Sequence, residues 1–433
     1  MTADRRRAGL FLGVDPYVLN ACPGYDLDAI VAVGAGTRDF GLNPVPDWAT
    51  TLLVDDQSCA ESVLAGLARS PDLRERVSFV QTTDERALVC AAVVAKVLGV
   101  DGPDADTMLR FRDKSIQKHT VREAGIRVAR AVVIDDIHTV DPSEVELFDR
   151  SVLKPVAGAG TTLTMVIDGH DDLVAAIAKA RAAATRQRTF ILEEFVSGSE
   201  LTADGVVVDG EVQFFALGEY DEPCLAGVIA NRCVDTRKLD PETDAELYAR
   251  VAPTVRGSLG ALGLRNGVFH MELFLDDSTG DVWFSECAAR RGGGLTHEEV
   301  SHKFSVSLGD AALALAAGLP PDLGVSIRPG FVGAAFLPMR DGILLGSPSA
   351  EDLLEQPNVE YARVELPIGF HMQAAIEDTI ARIGQVLVRA DTLEDLLTSM
   401  ADAIAWFDAR LDVLPTTLSP AELRDRQHQI AFA

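Results

Sequence analysis

Residues His270 to Gly294 read HMELFLDDSTGDVWFSECAARRGGG, and no other stretch constrains the fold as tightly. Two short apolar runs flank Asp276-Asp277-Ser278-Thr279-Gly280-Asp281, a turn-forming cluster, so the stretch predicts a β-hairpin. Strand side chains alternate between faces. On that pattern Glu272 shares a face with His270 and Phe274, and Glu286 shares one with Val282 and Phe284. If Glu272 lies opposite or diagonal to Glu286, the two carboxylates converge and repel unless a cation or a shared proton sits between them. Such a pair suits Mg²⁺, which takes oxygen ligands and keeps waters or phosphate oxygens at its other positions. Two acids on a solvent-facing hairpin would give the same pattern. Arg290 and Gly292-Gly293-Gly294, directly after Glu286, shift the balance to an anion-plus-metal site, because they add a cation and a backbone open to close approach.

A chain of 433 residues with 47% hydrophobic and 24% charged residues has room for two to four domains with substantial cores. Its net charge of -27 argues against nucleic acid or an anionic membrane as the main partner. Arg5-Arg6-Arg7 followed by Ala8 to Val14 imitates a signal peptide, but Asp15 and Pro16 end the apolar run early, so a first strand is expected. No segment reaches the roughly 18 apolar residues that a membrane span needs, and the expected location is the cytoplasm. The six cysteines, Cys22, Cys59, Cys90, Cys224, Cys233 and Cys287, have no zinc-site spacing and read as reduced thiols. Cys287 has no evident base beside it and reads as a packed strand-end residue rather than a nucleophile.

Up to about Leu109 strand-like runs (Ala8 to Val14, Ala29 to Val33, Thr51 to Val54, Val77 to Gln81) alternate with helix-like ones (Ser58 to Ala68, Glu85 to Leu98), the pattern of a parallel α/β domain. Gly34, Gly36 and Gly41, with Asp55 and Asp56 downstream, resemble a dinucleotide fingerprint, but their spacing is wrong for G-x-G-x-x-G. Asp113 is placed to cap a helix that ends near Ala124 and Gly125, ahead of a strand at Arg127 to Ile134. Lys114 falls on that helix's first turn. A strand ending in Lys154-Pro155 runs into Gly158-Ala159-Gly160-Thr161-Thr162, a candidate phosphate-covering loop that is not a P-loop. A helix over Asp171 to Arg186 precedes a strand at Phe190 to Phe195, which opens into the polar loop Ser197 to Glu200. Helices are expected at Glu242 to Leu262 and His297 to Ala317, the second bringing His297, His302 and Lys303 near the site. Beyond Pro320-Pro321, Phe331 to Pro338, Val359 to Glu365, Arg382 to Val388 and Thr392 to Ala409 predict a small closing domain.

In order, R-D-K (112–114), L-K-P-x-x-G-A-G-T (153–161), E-E-F-x-x-G-x-E (193–200), H-M-E-L (270–273) and S-E-C-A-A-R-x-G-G-G (285–294) resemble the ATP-grasp superfamily. The resemblance is to its carboxylate–amine ligases, such as L-amino acid ligases, and more distantly to biotin carboxylase. It spans roughly Leu109 to Leu319. It implies mixed α/β and α+β architecture: a Rossmann-like pre-ATP-grasp domain (1–110), two ATP-grasp subdomains (111–188 and 189–325) and an α/β closing domain (326–433). It further implies that Lys114 and Lys154 contact ATP phosphates, Lys154 also lying near the adenine, and that Gly158, Gly160, Thr161 and Thr162 fold over the phosphates. Glu193, Glu194, Phe195 and Val196 would form the hinge that offers backbone to the adenine, with Glu200 on the ribose. Glu272 and Glu286 would hold Mg²⁺, for which Mn²⁺ can substitute, and Arg290 would stabilise the transferred phosphoryl group or the carboxylate substrate. One departure stands out: the family frequently has Asn two residues after the second metal-binding Glu, where this chain has Ala288. Either one ion is bound instead of two, or water fills the position. The implied activity is ADP-forming ligation of a small carboxylate to an amine through an acyl phosphate, with a biotin-carboxylase-like enzyme or a non-catalytic ATP-binding module as alternatives. Homodimers are common in the family.

Overall fold

The structure is a computed structural model and describes residues 7–34, 44–183, 187–230, 232, 234–373, 382–416 and 422. Arg5, Arg6, Gly36, Gly41, Cys233 and the expected helix end at 184–186 lie outside the described residues. The chain divides into two compact units, one formed by Met1–Ala159, Leu163–Glu219 and Lys238–Arg328, the other by Gly160–Thr162, Tyr220–Arg237 and Pro329–Ala433.

The first unit begins with strands β1 (Ala8–Leu12), β2 (Asp28–Gly34), β3 (Thr50–Val54) and β4 (Val77–Gln81). They form a parallel sheet in the order β3-β2-β1-β4. Every residue of β1 is buried, which is why AGLFL is continuously apolar rather than alternating: a parallel strand is covered on both faces. The helices Ala60–Ala68 and Leu88–Leu98 occupy the expected segments. The chain leaves the carboxyl ends of β1 and β4 at Gly13 to Asp15 and Thr82 to Glu85. Open parallel sheets bind ligands at such edges.

Asp113 caps the Lys114–Glu123 helix, its carboxylate accepting from the Ser115 and Ile116 N–H groups. Strands β5 (Ala131–Ile134), β6 (Ser151–Pro155), β7 (Met165–Ile167) and β8 (Phe190–Glu194) form an antiparallel sheet in the order β5-β8-β6-β7. The strand expected from Arg127 is shorter, because Arg127 and Val128 instead bridge to Phe284. The His170–Ala182 helix follows β7.

Next come β9 (Ser199–Val208), β10 (Glu211–Tyr220), β11 (Asp235–Lys238), β12 (Gly267–Leu275) and β13 (Val282–Ala288), with the Ala245–Leu262 helix preceding β12. Within the first unit the antiparallel order is β13-β12-β9-β10, so β13 is an edge. Glu200, expected in a polar loop, lies within β9 and is 5% exposed. The single helix expected over His297 to Ala317 is two, Thr296–Phe304 and Leu308–Ala316. Ser305 at φ 60° takes the left-handed conformation that ends the first.

The second unit holds β14 (Phe331–Leu337), β15 (Gly342–Gly346), β16 (Val359–Val364), β17 (His371–Met372), β18 (Gly384–Ala390) and β19 (Asp412–Leu414). β18 pairs antiparallel with both β14 and β16, and β15 pairs with β17 and β19. The Leu393–Asp408 helix packs Leu396, Met400, Ala403 and Phe407 into this unit's core.

Candidate active site

Glu272 and Glu286 stand directly opposite each other in the β12–β13 ladder. The register reaches that pairing by a route that strict alternation does not anticipate. Leu273 pairs with Phe284 while Glu272 pairs with Glu286, so Ser285 is an extra residue, a β-bulge. The bulge overturns the expectation that Glu286 shares a face with Val282 and Phe284. Phe284 joins Phe269, Met271, Leu273 and Cys287 in the core, and Glu286 turns to the other face, with Glu272 and His270. Without the extra residue every side chain beyond it would be reversed.

Three lysines meet the acids on that face. Lys154, at the end of β6, places Nζ 3.4 Å from Glu286 and 3.2 Å from Glu193 on the neighbouring β8. Lys114 lies 3.4 Å from the same Glu286 oxygen and donates to the Gly158 carbonyl at 3.2 Å. Lys118, one turn further along the helix, reaches Glu193 at 3.1 Å and the Ser285 carbonyl at 2.8 Å. The sequence reading missed Lys118; its spacing of four from Lys114, which puts both on one helix face, was the available signal. Burial would raise the Glu286 carboxyl, but Lys114, Lys154 and Lys118 outweigh it and hold the group at about 2. Burial likewise works against the Lys154 ammonium, and Glu193 and Glu286 reverse that and raise its pKa. Both groups are therefore charged near neutral pH.

Glu193 is 5% exposed, and its Oε1 is buried with no hydrogen-bond partner among the described residues. In the hinge segment, the Glu194 N–H donates to the Arg130 carbonyl at 2.8 Å and the Phe195 N–H to the Arg150 carbonyl at 2.9 Å. Those two donors are committed to the strand edges. The Glu194 side chain forms a bidentate pair with Arg130, and Val196 is half-buried. In the glycine loop, the Gly158 carbonyl also accepts from Arg112 at 3.1 Å. Gly160 and Thr161 have φ of 61° and 59°, a left-handed pair that is strained at the threonine. Thr162 is exposed.

His270 lies one step along the same face. Its Nδ1 is 2.7 Å from Asp204 on β9 and its Nε2 is 3.6 Å from Glu272. Burial would lower the imidazole, but Asp204 and Glu272 raise it to about 9. Asp204 in turn pairs with Lys238 at 2.9 Å. Ala288 is directly opposite His270. Gly292 is required close by, since a Cβ there would lie 2.8 Å from His270 Nδ1 and 2.6 Å from the Thr296 hydroxyl.

Arg290 donates through Nε to Glu85 at 2.6 Å, and Glu85 also pairs with Arg112 at 3.7 Å. The neighbouring Arg291 donates to Asp15 at 2.9 Å and stacks over Tyr17. Both arginines are thus held by acids from the carboxyl edge of the parallel sheet. His297 is buried and stacks on Tyr17 at 4.1 Å. Lys303 donates to the Asp240 carboxylate at 2.5 Å and to the Arg328 carbonyl at 2.8 Å. Cys287 is buried and its thiol is pushed well up by that burial, which suits a packed residue and not a nucleophile.

Among the described residues no group of three or more His, Cys, Asp or Glu gathers as a metal site, and none of the helices there is long and apolar enough to cross a membrane. Two facing carboxylates still fit Mg²⁺, which needs few protein ligands when phosphate and water complete its octahedron. The surrounding lysines fit the phosphates.

The family model for the ATP-grasp domain matches residues 149–299, a span that includes β6, the glycine loop, β8 and the β12–β13 hairpin. An L-arginine-specific L-amino acid ligase of Bacillus subtilis is 24% identical over 300 residues, which are 69% of this chain and 71% of that protein. Dapdiamide A synthase of Enterobacter agglomerans is 29% identical over 149 residues, 33% of each protein. The crystal structure of an L-amino acid ligase from Bacillus licheniformis matches with a TM-score of 0.75 at 17% identity, covering 96% of this chain and 100% of that one.

Proposed function

We propose, starting from a chain whose residues 149–299 match the ATP-grasp domain and whose fold is that of an L-amino acid ligase, that it is an ATP-dependent carboxylate–amine ligase forming an amide or peptide bond. One observation carries the reading: two facing carboxylates, Glu272 and Glu286, share a face with Lys114 and Lys154, both within 3.4 Å of Glu286. A polyphosphate would draw the lysines to itself and leave the acids to a divalent cation. Relatives that are L-amino acid ligases support an amino acid as the carboxylate.

In this reading a substrate carboxylate oxygen attacks the γ-phosphorus of ATP and the bond to ADP breaks, giving an acyl phosphate. The unprotonated amine then attacks the acyl carbon, phosphate leaves, and the amine proton passes to solvent. Transfer of this kind depends on positioning and charge neutralisation more than on a covalent nucleophile. Lys114 and Lys154 hold the phosphates beside Gly158, and Glu193 to Val196 with Glu200 border the nucleoside. Glu272 and Glu286 would hold Mg²⁺, which when bound supplies Lewis-acid neutralisation of phosphate charge. Arg290, fixed by Glu85, faces the acyl phosphate. The reaction belongs to the cytoplasm, where ATP is supplied.

The test is ADP release across amino acids offered singly and in pairs, with hydroxylamine present to trap acyl phosphate as hydroxamate. Hydroxamate from one acid and ATP alone supports the ligase. Bicarbonate-dependent turnover would favour the carboxylase alternative, and ATP binding with no turnover across the panel would favour a non-catalytic module.

A further inference from the structure

Among the described residues the outer edge of β13 has no strand beside it within its own sheet, yet its backbone groups are not left to water. The Phe284 N–H donates to the Arg127 carbonyl at 2.9 Å. The Ser285 carbonyl, on the bulge residue, accepts from Lys118 at 2.8 Å. The Cys287 N–H donates to the Gln117 side-chain oxygen at 2.9 Å, and the Cys287 carbonyl accepts from the Gln117 amide at 2.7 Å. Gln117 and Lys118 are 1% and 2% exposed. Side chains three and four residues beyond Lys114 thus imitate a neighbouring strand on either side of Glu286, while Lys114 itself contacts the Glu286 carboxylate.

Buried backbone groups must be paired, and an edge strand interrupted by a bulge has the fewest ways to pair them. The bulge also decides which face Glu286 occupies. We propose that Gln117 and Lys118 are positioning residues for the divalent-cation site: they clamp β13 in its bulged register and so hold Glu286 opposite Glu272. The clamp also ties metal to nucleotide, because Lys118 pairs with Glu193, which pairs with Lys154. The inference rests on the reading of Glu286 as a metal ligand.

The test uses the full chain and Mn²⁺ binding in the presence of a non-hydrolysable ATP analogue, followed by electron paramagnetic resonance, with metal-free analogue affinity and thermal unfolding measured alongside. Lys118→Met and Gln117→Met each raise the Mn²⁺ dissociation constant by roughly 10–100-fold, the range seen when groups orienting a metal ligand are lost. Lys118→Arg stays within about threefold of the parent. Gln117→Met leaves metal-free analogue affinity within the same limit, because the hydrogen bonds described for Gln117 go to the Arg110, Phe111 and Cys287 backbone and not to the lysine–Glu193 chain. Gln117→Met also carries the test if Lys118→Met does not fold. Normal Mn²⁺ binding by the folded methionine variants, or by Gln117→Met alone where Lys118→Met does not fold, while Glu286→Gln loses it, overturns the clamp and leaves the site reading standing. Failure of both methionine variants to fold, with Glu286→Gln folded, likewise overturns it, since the residues would then serve the fold at large. Unchanged Mn²⁺ affinity in Glu286→Gln overturns the site reading and the clamp together.

Discussion

The surroundings of Glu286 and those of Arg290 lie four residues apart in sequence and are built on opposite principles. Around Glu286 the charges are shared: Lys114, Lys118 and Lys154 crowd around Glu286 and Glu193, Glu272 stands opposite, and the lysines hold Glu286 down at about 2. Around Arg290 and Arg291 each cation has its own acid, Glu85 and Asp15, supplied from more than 200 residues away. The first arrangement is poised for a polyanion, since a phosphate chain relieves the crowding of lysines. The second is pre-formed, and its arginines are oriented before any substrate arrives. On the proposed function, the shared lysine cluster would bind the nucleotide and the individually paired Arg290 would meet the acyl phosphate.

That contrast can be broken at either end. Glu286→Gln has the largest expected effect: ADP release falls about 10³-fold or more with an unchanged circular dichroism spectrum, because a preorganised charge at the transferred phosphoryl group is lost. Arg290→Met follows, lowering kcat about 10²-fold while nucleotide affinity, read by titration with ADP, stays near that of the parent. Glu85→Gln loosens Arg290 without removing it. Roughly a tenfold loss in kcat/KM for the carboxylate is expected, with little change in KM for ATP; equal losses for both substrates would erase the distinction between the two neighbourhoods.

The smallest effect concerns pH. His270 is raised from its ordinary 6.5 to about 9 by Asp204 and Glu272, against burial. A raised folded-state pKa means that protonation favours the folded state, so this contribution is complete below about 6.5 and fades as pH rises through about 9. Thermal unfolding across that window should show the parent losing stability relative to His270→Gln. Parallel profiles would show that the imidazole is not held charged.

Much of the fold was legible because its signals are local. The alternation of apolar runs up to Leu109 gave the parallel sheet, Asp113 before Lys114 gave a capped helix, and the polar cluster at Asp276 to Asp281 gave the hairpin. The bulge at Ser285 was not legible, since neither glycine nor proline marks it and the contacts that favour that register, the packing of Phe284 in the core and the side chains that meet the β13 edge, are tertiary. The helix break at Ser305 was hidden for a similar reason: a serine at positive φ carries no breaker signal. The partners of Arg290 and Arg291 were invisible because they come from the ends of β1 and β4, far off in the chain. Gln117 and Lys118 were not singled out in the sequence, because their partners lie far off in the chain, on the edge of β13 and, for Lys118, also on β8.

The central claim is that a substrate carboxylate, and not water, accepts the γ-phosphoryl group. Carboxylate labelled with ¹⁸O at both oxygens, supplied with ATP, Mg²⁺ and an amine, tests it in one step, with the released phosphate followed by ³¹P resonance. The account predicts one ¹⁸O atom in each phosphate, carried over when the acyl phosphate breaks down to the amide. Unlabelled phosphate released alongside ADP would contradict it.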